Sequence, residues 1–545
     1  MTKVLIIGSG ISGLTCAIEC ASRGISSILV SPFPSERAQS VLAAGGINAV
    51  LRTDNGDSIE QHIKDTLNGG CNIAGVKAVT GLCSEAPDIV RWLEGLGTVF
   101  SRDKESKIMQ RPFGGQTYPR TCFAGTSTGK QIVTALVMET RRYEGKGLIE
   151  RRFWTDFYGA LIKDKTCYGA LLYNEATRTL ESVTADAVVI ATGGQNRMFS
   201  KTTGSTQCDG YAAGKLFEQG VELKNLEFIQ YHPTAIETDR KNMLISEAAR
   251  GEGGRLYYED GGKRVYFMED KFGEKGNLMP RDVVSKTMYE TGRDIYLDVS
   301  FLGKAQILDR IPEVYDLCMK YRGLDITRES IPVKPSVHFF MGGIAVGLNH
   351  MTNISNLYAV GECASIYHGA NRLGGNSLLA AVYSGRTAAK DIASRKVEQE
   401  PSDWSEFASR EQGRLEAIRG AEGAVFSVHI KNMLRENITG SLGIVRSEQE
   451  IDKSIEVLDH LIDVETSGMV RYDSSELEYF NYSLGGILKL GKAMLVCARS
   501  RCESRGAHLR SDYPEREESF KKATIISYDE GEFNTRLVGE DDYEG

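Results

Sequence analysis

None of the eleven cysteines forms a CxxC pair, and there is no CxxCH. Iron–sulfur, zinc and c-type haem sites need clustered ligands, so no metal site is expected. The cysteine count is odd and the residues are scattered. That suits small buried hydrophobes in a reducing compartment better than a disulfide framework. No apolar run approaches the length of a membrane span, so no direct membrane insertion is expected. No basic region or cleavage site precedes the first strand, so no export signal is expected either. The expected location is cytoplasmic, with any membrane association carried by partner subunits. Positive charge is not in excess: 65 Lys and Arg face 73 Asp and Glu, a net charge of −8. That removes the electrostatic case for binding nucleic acid or an anionic membrane surface. What remains is 545 residues, 41% hydrophobic and 25% charged, an ordinary globular balance with room for two or three domains.

The N-terminus carries the first motif. Val4-Leu5-Ile6-Ile7 is an apolar run, followed by Gly8-Ser9-Gly10-Ile11-Ser12-Gly13. Helical spacing runs from Leu14 to Ala21, Gly24 stops it, and Ser27–Val30 reads as a second strand. Strand, GxGxxG, helix, strand is the order a pyrophosphate site needs. Gly8 makes the tight turn, Gly10 admits the pyrophosphate, and Gly13 lets the helix pack on the strand. Ser31-Pro32 stands where many such sites place a ribose-binding acid, and Glu36 is a substitute acid. Downstream, Ala187-Val188-Val189-Ile190-Ala191-Thr192-Gly193-Gly194 reads as a buried strand entering a glycine turn.

A second motif is His368-Gly369-Ala370-Asn371-Arg372-Leu373-Gly374-Gly375-Asn376-Ser377-Leu378-Leu379. Its glycines let backbone approach a flat ligand closely. The helix start beyond them offers free N–H groups to negative charge. Arg372 offers a planar fork that matches a carboxylate. Such a site suits a redox cofactor lying next to a carboxylic acid.

This segment resembles a signature of the flavoprotein subunits of succinate dehydrogenases and fumarate reductases. The resemblance runs from residue 3 to about residue 520 and implies FAD as cofactor. Gln39-Ser40-Val41-Leu42-Ala43-Ala44-Gly45-Gly46-Ile47-Asn48-Ala49 resembles the stretch that wraps the isoalloxazine ring. In most of the family a histidine six residues before the glycine pair is joined covalently to the flavin. Here the position is Gln39, so non-covalent FAD is expected. The family's glutamine before the glycine pair is Ala44 here. Ser40, Gly45, Gly46, Gly193, Gly194, Asp209 and Glu362 are the implied flavin contacts. The helix after Asn376-Ser377-Leu378 aims its positive end at the flavin's pyrimidine ring.

Four further segments match the family in its order: Gln230-Tyr231-His232-Pro233-Thr234, Ser246-Glu247-Ala248-Ala249-Arg250, Met279-Pro280-Arg281-Asp282 with Pro280 near the first helical position, and Val337-His338-Phe339-Phe340-Met341. Fumarate and succinate carry a carboxylate at each end, and each end needs polar or charged donors. By resemblance, His338 and Arg372 hold one carboxylate while His232 and Ser246 hold the other. Clamping both ends polarises the double bond for hydride from flavin. Arg281 matches the family's proton donor, reprotonated through Glu247 and Arg250. A free guanidinium keeps its proton far above neutral pH, so a strongly basic substrate carbanion is required.

L-aspartate oxidase is the rival within the family. It has a glutamate for the substrate ammonium where Arg111-Pro112-Phe113-Gly114-Gly115 places Phe113. Phe113 therefore points to fumarate and succinate as substrates. The missing covalent link implies a lower flavin potential, favouring fumarate reduction. Outside the family, the rivals are a non-enzymatic FAD-binding electron carrier or scaffold, and an NAD-dependent dehydrogenase. With no cysteine cluster of its own, the chain is expected to exchange electrons with a separate iron–sulfur subunit or a soluble donor.

The expected fold is α/β. Residues 1–233 and 344–395 form a Rossmann-like FAD-binding domain, and 234–343 an inserted α+β capping domain. Residues 400–545 form a C-terminal helical domain whose acidic tail frays after Tyr528. Arg505 and His508, in another family segment, are expected to serve the flavin edge.

Overall fold

The computed structural model describes residues 3–125, 127–239, 241–395, 403–472, 481–539 and 542–543. The expected start of the C-terminal part at residue 400 lies outside them.

A five-stranded parallel sheet organises the first layer, in the order Leu357–Ala359, Ala187–Ile190, Lys3–Ile7, Ser26–Ser31, Ile149–Phe153. Residues 4–7 of the strand Lys3–Ile7 and all of Ala187–Ile190, at its centre, are apolar and buried, as a sheet covered on both faces requires, while the edge strand Ile149–Phe153 carries Glu150, Arg151 and Arg152. The helices Ile11–Ser22 and Asn376–Ser394 pack against each other beside it. The turn between Lys3–Ile7 and the helix shows why glycine stands there. Gly8 has φ +111°, and a Cβ on Gly13 would lie 1.9 Å from the Gly8 carbonyl oxygen. Helix and strand can only approach this closely without side chains at those positions.

A six-stranded antiparallel sheet lies beyond, in the order Asn242–Leu244, Ile229–Glu237, Ile331–Phe340, Ile295–Asp298, Arg255–Asp260, Lys263–Val265. It packs around a second hydrophobic core that runs from Ile236 to Val333 and includes Ile245, Val284 and Ile311. The helix Arg281–Thr291 opens directly after Pro280, so Pro280 is its cap and Arg281 its first residue. Pro280 loses nothing there, since N–H groups at a helix start have no intrahelical acceptor.

The C-terminal part contains the helices Ser405–Arg419, Ser427–Ser441, Glu448–Thr466 and Leu484–Ser500. The described residues after Tyr528 form a strand where a frayed tail is expected. Glu532–Val538 pairs antiparallel with Ala523–Asp529, and that hairpin joins the strands Leu223–Lys224 and Gly343–Ala345. Buried Ile525 and Ile526 anchor the inner strand while charged residues face outward on the edge strand. Edge strands commonly carry charge for this reason. Among the described residues, no helix is long and apolar enough to cross a membrane.

Candidate active site

A cavity of about 370 Å³ opens between the parallel sheet and the second core. Gly8, Gly10, Ser40, Gly45, Gly46, Gly193, Asp209, Glu362, Ser377 and Leu378 line one stretch of it. Phe113, His232, Ser246, Glu247, Arg281, His338 and Arg372 line another. Four expected residues stand behind the wall. Gly13 serves helix packing, and Gly194 backs onto Glu362, whose Oε1 would lie 2.7 Å from an added Cβ. Arg250 lies behind Glu247. Asn376 turns inward: its Oδ1 accepts from Asn48 Nδ2 at 2.7 Å, and its Nδ2 donates to Thr66 Oγ1 at 3.0 Å. Glu36 is exposed near Arg141 and outside the cavity, so it does not replace the missing ribose acid.

The lining fits FAD. At one end, the start of helix Ile11–Ser22 meets the bare Gly10 backbone, where the nearest atom to an added Cβ is Ser40 Oγ at 3.3 Å. That is a phosphate cradle. Buried Asp156 also lines the cavity, and its Oδ2 has no partner among the described residues. Burial, then the charge of Asp209, raises its carboxyl well above the usual range. Gln39 also lines the cavity, with its Oε1 accepting from Ser205 N.

The other end of the cavity is built around four charged residues and one amide. Glu247 is buried, and its Oε2 accepts from Arg281 Nε at 2.8 Å and Nη2 at 2.6 Å. Its Oε1 accepts from Gly114 N at 2.6 Å, with Arg250 Nη2 3.7 Å away. Burial raises the carboxyl of Glu247, but Arg281 and Arg250 outweigh it and bring the pKa down to about 2. Gln230 is fully buried, and its Oε1 accepts from both Arg281 Nη1 and Arg372 Nη2, each at 3.0 Å. Its Nε2 donates to Asn371 Oδ1 and to the Arg372 carbonyl, each at 2.8 Å. Burial, then the charge of Arg281, pulls the guanidinium of Arg372 well below its ordinary range. Its Nε has no partner among the described residues.

His232 and His338 face each other edge to face, ring centroids 5.1 Å apart. Burial and the Arg281 charge hold both well below the usual imidazole range, so both are neutral at pH 7. His338 Nδ1 lies 2.8 Å from Thr203 Oγ1. His232 Nδ1 lies 3.2 Å from Thr234 N. Phe113 is buried, with its ring against Gly45 and Gly374. Burial raises Glu362 to about 7, although Phe340 N donates to it at 3.1 Å and Arg372 opposes the shift.

Sequence reasoning assigned no role to Gln230, Thr203 or Asp156. Gln230 was legible in one respect: it sits two residues from His232 in a strand, and such positions share a face. Thr203 and Asp156 gave no signal, since long-range folding alone brings them to the cavity.

Arg505 and His508 do not reach the flavin end. Arg505 pairs with Glu503, with Nε at 2.7 Å, and His508 Nδ1 lies 2.9 Å from Arg446 Nη1. Their loop acts through the backbone, because Ala507 N donates to the Ala370 carbonyl at 3.0 Å and so braces the turn that carries Arg372.

Comparison with known proteins agrees with this layout. The family model described as FAD binding domain matches residues 3–378, and the one described as Fumarate reductase flavoprotein C-term matches residues 431–541. The chain is 34% identical to a succinate dehydrogenase flavoprotein subunit of Bacillus subtilis, over 97% of this chain and 94% of that one. It is 32% identical to a fumarate reductase flavoprotein subunit of Haemophilus influenzae, over 97% of this chain and 92% of that one. A solved E. coli quinol fumarate reductase chain superposes with TM-score 0.91 at 29% identity, covering 99% of this chain and 97% of that one.

Proposed function

The chain belongs to the flavoprotein family of succinate dehydrogenases and fumarate reductases and is an FAD-dependent oxidoreductase, and on that premise we propose that it interconverts fumarate and succinate, chiefly by reducing fumarate. One observation carries the reading. Two buried guanidiniums, Arg281 and Arg372, share a single Gln230 oxygen opposite two neutral imidazoles. Glu247 is one carboxylate against Arg281 and Arg250, and among the described residues Arg372 has no ion-pair partner, which leaves the cluster in need of an anion. Burying an uncompensated charge is expensive, so the arrangement favours a carboxylate ligand.

The residues then divide the work. Arg372 and His338 hold one carboxylate. The bond between Thr203 Oγ1 and Nδ1 of His338 orients the ring and leaves Nε2 for the ligand. His232 and Ser246 hold the other carboxylate. Bound FAD supplies the hydride. Arg281 delivers the proton to the second carbon, and Glu247 and Arg250 restore it. The fork from Arg281 to Glu247 fixes the guanidinium plane, so the third nitrogen, on Gln230, is the one aimed at substrate. Phe113 gives an amine no counter-charge, which opposes aspartate as substrate. The FAD is held without a covalent bond, because an amide at Gln39 has no nucleophile for the link.

The chain's eleven cysteines are all free, and among the described residues no cluster could hold a metal. Electrons therefore come through a separate iron–sulfur subunit or a soluble donor. The purified flavoprotein should reduce fumarate with reduced viologen and oxidise succinate with a dye. Failure of both reactions in FAD-loaded protein would remove the reading.

A further inference from the structure

Lys241 lines the same cavity as His232, Ser246, Arg281 and Arg372. Its backbone is fixed on both sides. Thr238 Oγ1 donates to the Lys241 carbonyl, and Asn242 N donates to the Thr202 carbonyl at 3.1 Å. Asn242 opens the strand Asn242–Leu244, which pairs with the strand carrying His232 and leads on to Ser246. A short rigid segment thus ties Lys241 to both histidine-side anchors.

The ammonium has no hydrogen bond or ion pair among the described residues. The acid on the neighbouring strand, Glu237, is taken by Lys201 at 3.0 Å and by Lys334. Lys241 is nonetheless half-buried, and burial lowers its pKa. A cation losing hydration without a counter-charge is favoured by an arriving anion. The charges deeper in the cavity say which anion. Glu247 is one carboxylate shared by Arg281 at 2.6 Å and Arg250 at 3.7 Å, and Arg372 adds a third buried guanidinium, so positive charge is in excess there. A dicarboxylate brings two negative charges.

We propose that Lys241 captures the incoming dicarboxylate at the cavity wall and steers it to the cationic anchors deeper inside. The inference rests on the dicarboxylate reading above. The other anion in this cavity is the FAD pyrophosphate, and the test separates the two.

Lys241→Gln and Lys241→Arg would be purified as FAD-loaded enzymes. FAD content, malonate affinity by flavin absorbance at several salt concentrations, and fumarate kinetics would be measured for each. Lys241→Gln should weaken malonate binding roughly tenfold and flatten its salt dependence, since one steering charge is lost. It should lower kcat/KM more than kcat. Lys241→Arg should restore both affinity and salt dependence. FAD content should match wild type. Unchanged malonate affinity in the Gln variant would overturn the proposal. So would loss of FAD, which would place Lys241 at the pyrophosphate, or an Arg variant as weak as Gln. A wild-type enzyme that binds no dicarboxylate would remove the underlying reading as well, whereas equal binding by wild type and Gln variant removes only the role of Lys241.

Discussion

Arg281 puts Nε and Nη2 on the same carboxylate oxygen of Glu247, at 2.8 and 2.6 Å. The pair is buried, so charge and orientation are set together. In the proposed mechanism Glu247 is the relay through which a proton passes from Arg250 back to Arg281.

Replacing Arg281 with Gln or Lys should lower turnover by about 10²–10⁴-fold, the usual worth of one positioned acid. FAD content should hold, because Arg281 donates to Glu247 and Gln230 rather than to the flavin-side loops. Steady-state viologen-linked kinetics check this. Retention of a tenth of wild-type turnover would move the proton to another residue.

Glu247→Gln should cost stability as well as rate. It leaves Arg281 buried without its counter-charge, a loss of about 3–5 kcal/mol when one partner of a buried pair is removed. The carboxyl of Glu247 is lowered from 4.5 to about 2 on folding. Its stabilisation is therefore present above about pH 4.5 and is lost as the pH falls toward 2. Denaturant melts of wild type and variant should converge as the pH drops through that window. Parallel curves would show that the pair contributes nothing to folding.

Arg372→Leu should weaken fumarate, succinate and malonate together, by about 2–5 kcal/mol for one member of a buried charge pair. Equilibrium titration with malonate reads this directly. Unchanged malonate affinity would place the carboxylate elsewhere.

Dicarboxylate affinity should fall as pH rises through about 7. Burial raises Glu362 to about 7, within the field of Arg372. Below that pH its carboxyl is neutral. Above it, a new negative charge competes with the ligand for Arg372. The histidines add no opposing trend, since both are already neutral across this range. Malonate titrations from pH 6 to 8 should show the decline, and Glu362→Gln should flatten it. Affinity that rises with pH would reverse the assignment.

The sequence made the nucleotide end legible because its constraints are local. A strand, a glycine turn and a helix within about twenty residues leave few structural choices, and Gly8 and Gly13 are forced by backbone contact. The proposed anchors His232, His338 and Arg372 were legible by resemblance, in segments that carry a proline or a glycine pair. For Gln230 only the shared face with His232 was legible, because a glutamine in a strand gives no sign that two guanidiniums from distant segments share its oxygen. Asn376 was read as a cofactor contact, but its side chain is taken up by Asn48, His62 and Thr66 from other elements. The acidic tail looked unstructured because its composition is polar, yet an edge strand needs only one apolar neighbour, here supplied by Ile525 and Ile526.

The substrate class is tested most directly by comparing succinate with aspartate as reductants of the flavin in one preparation, beside viologen-driven fumarate reduction. Phe113 is buried against Gly45 and Gly374, and it offers an ammonium no charge while stripping its hydration. Fumarate should be reduced, succinate should reduce the flavin, and aspartate should do so poorly, with Phe113→Glu shifting the ratio toward aspartate. Faster flavin reduction by aspartate than by succinate would contradict the account and make the chain an aspartate oxidase.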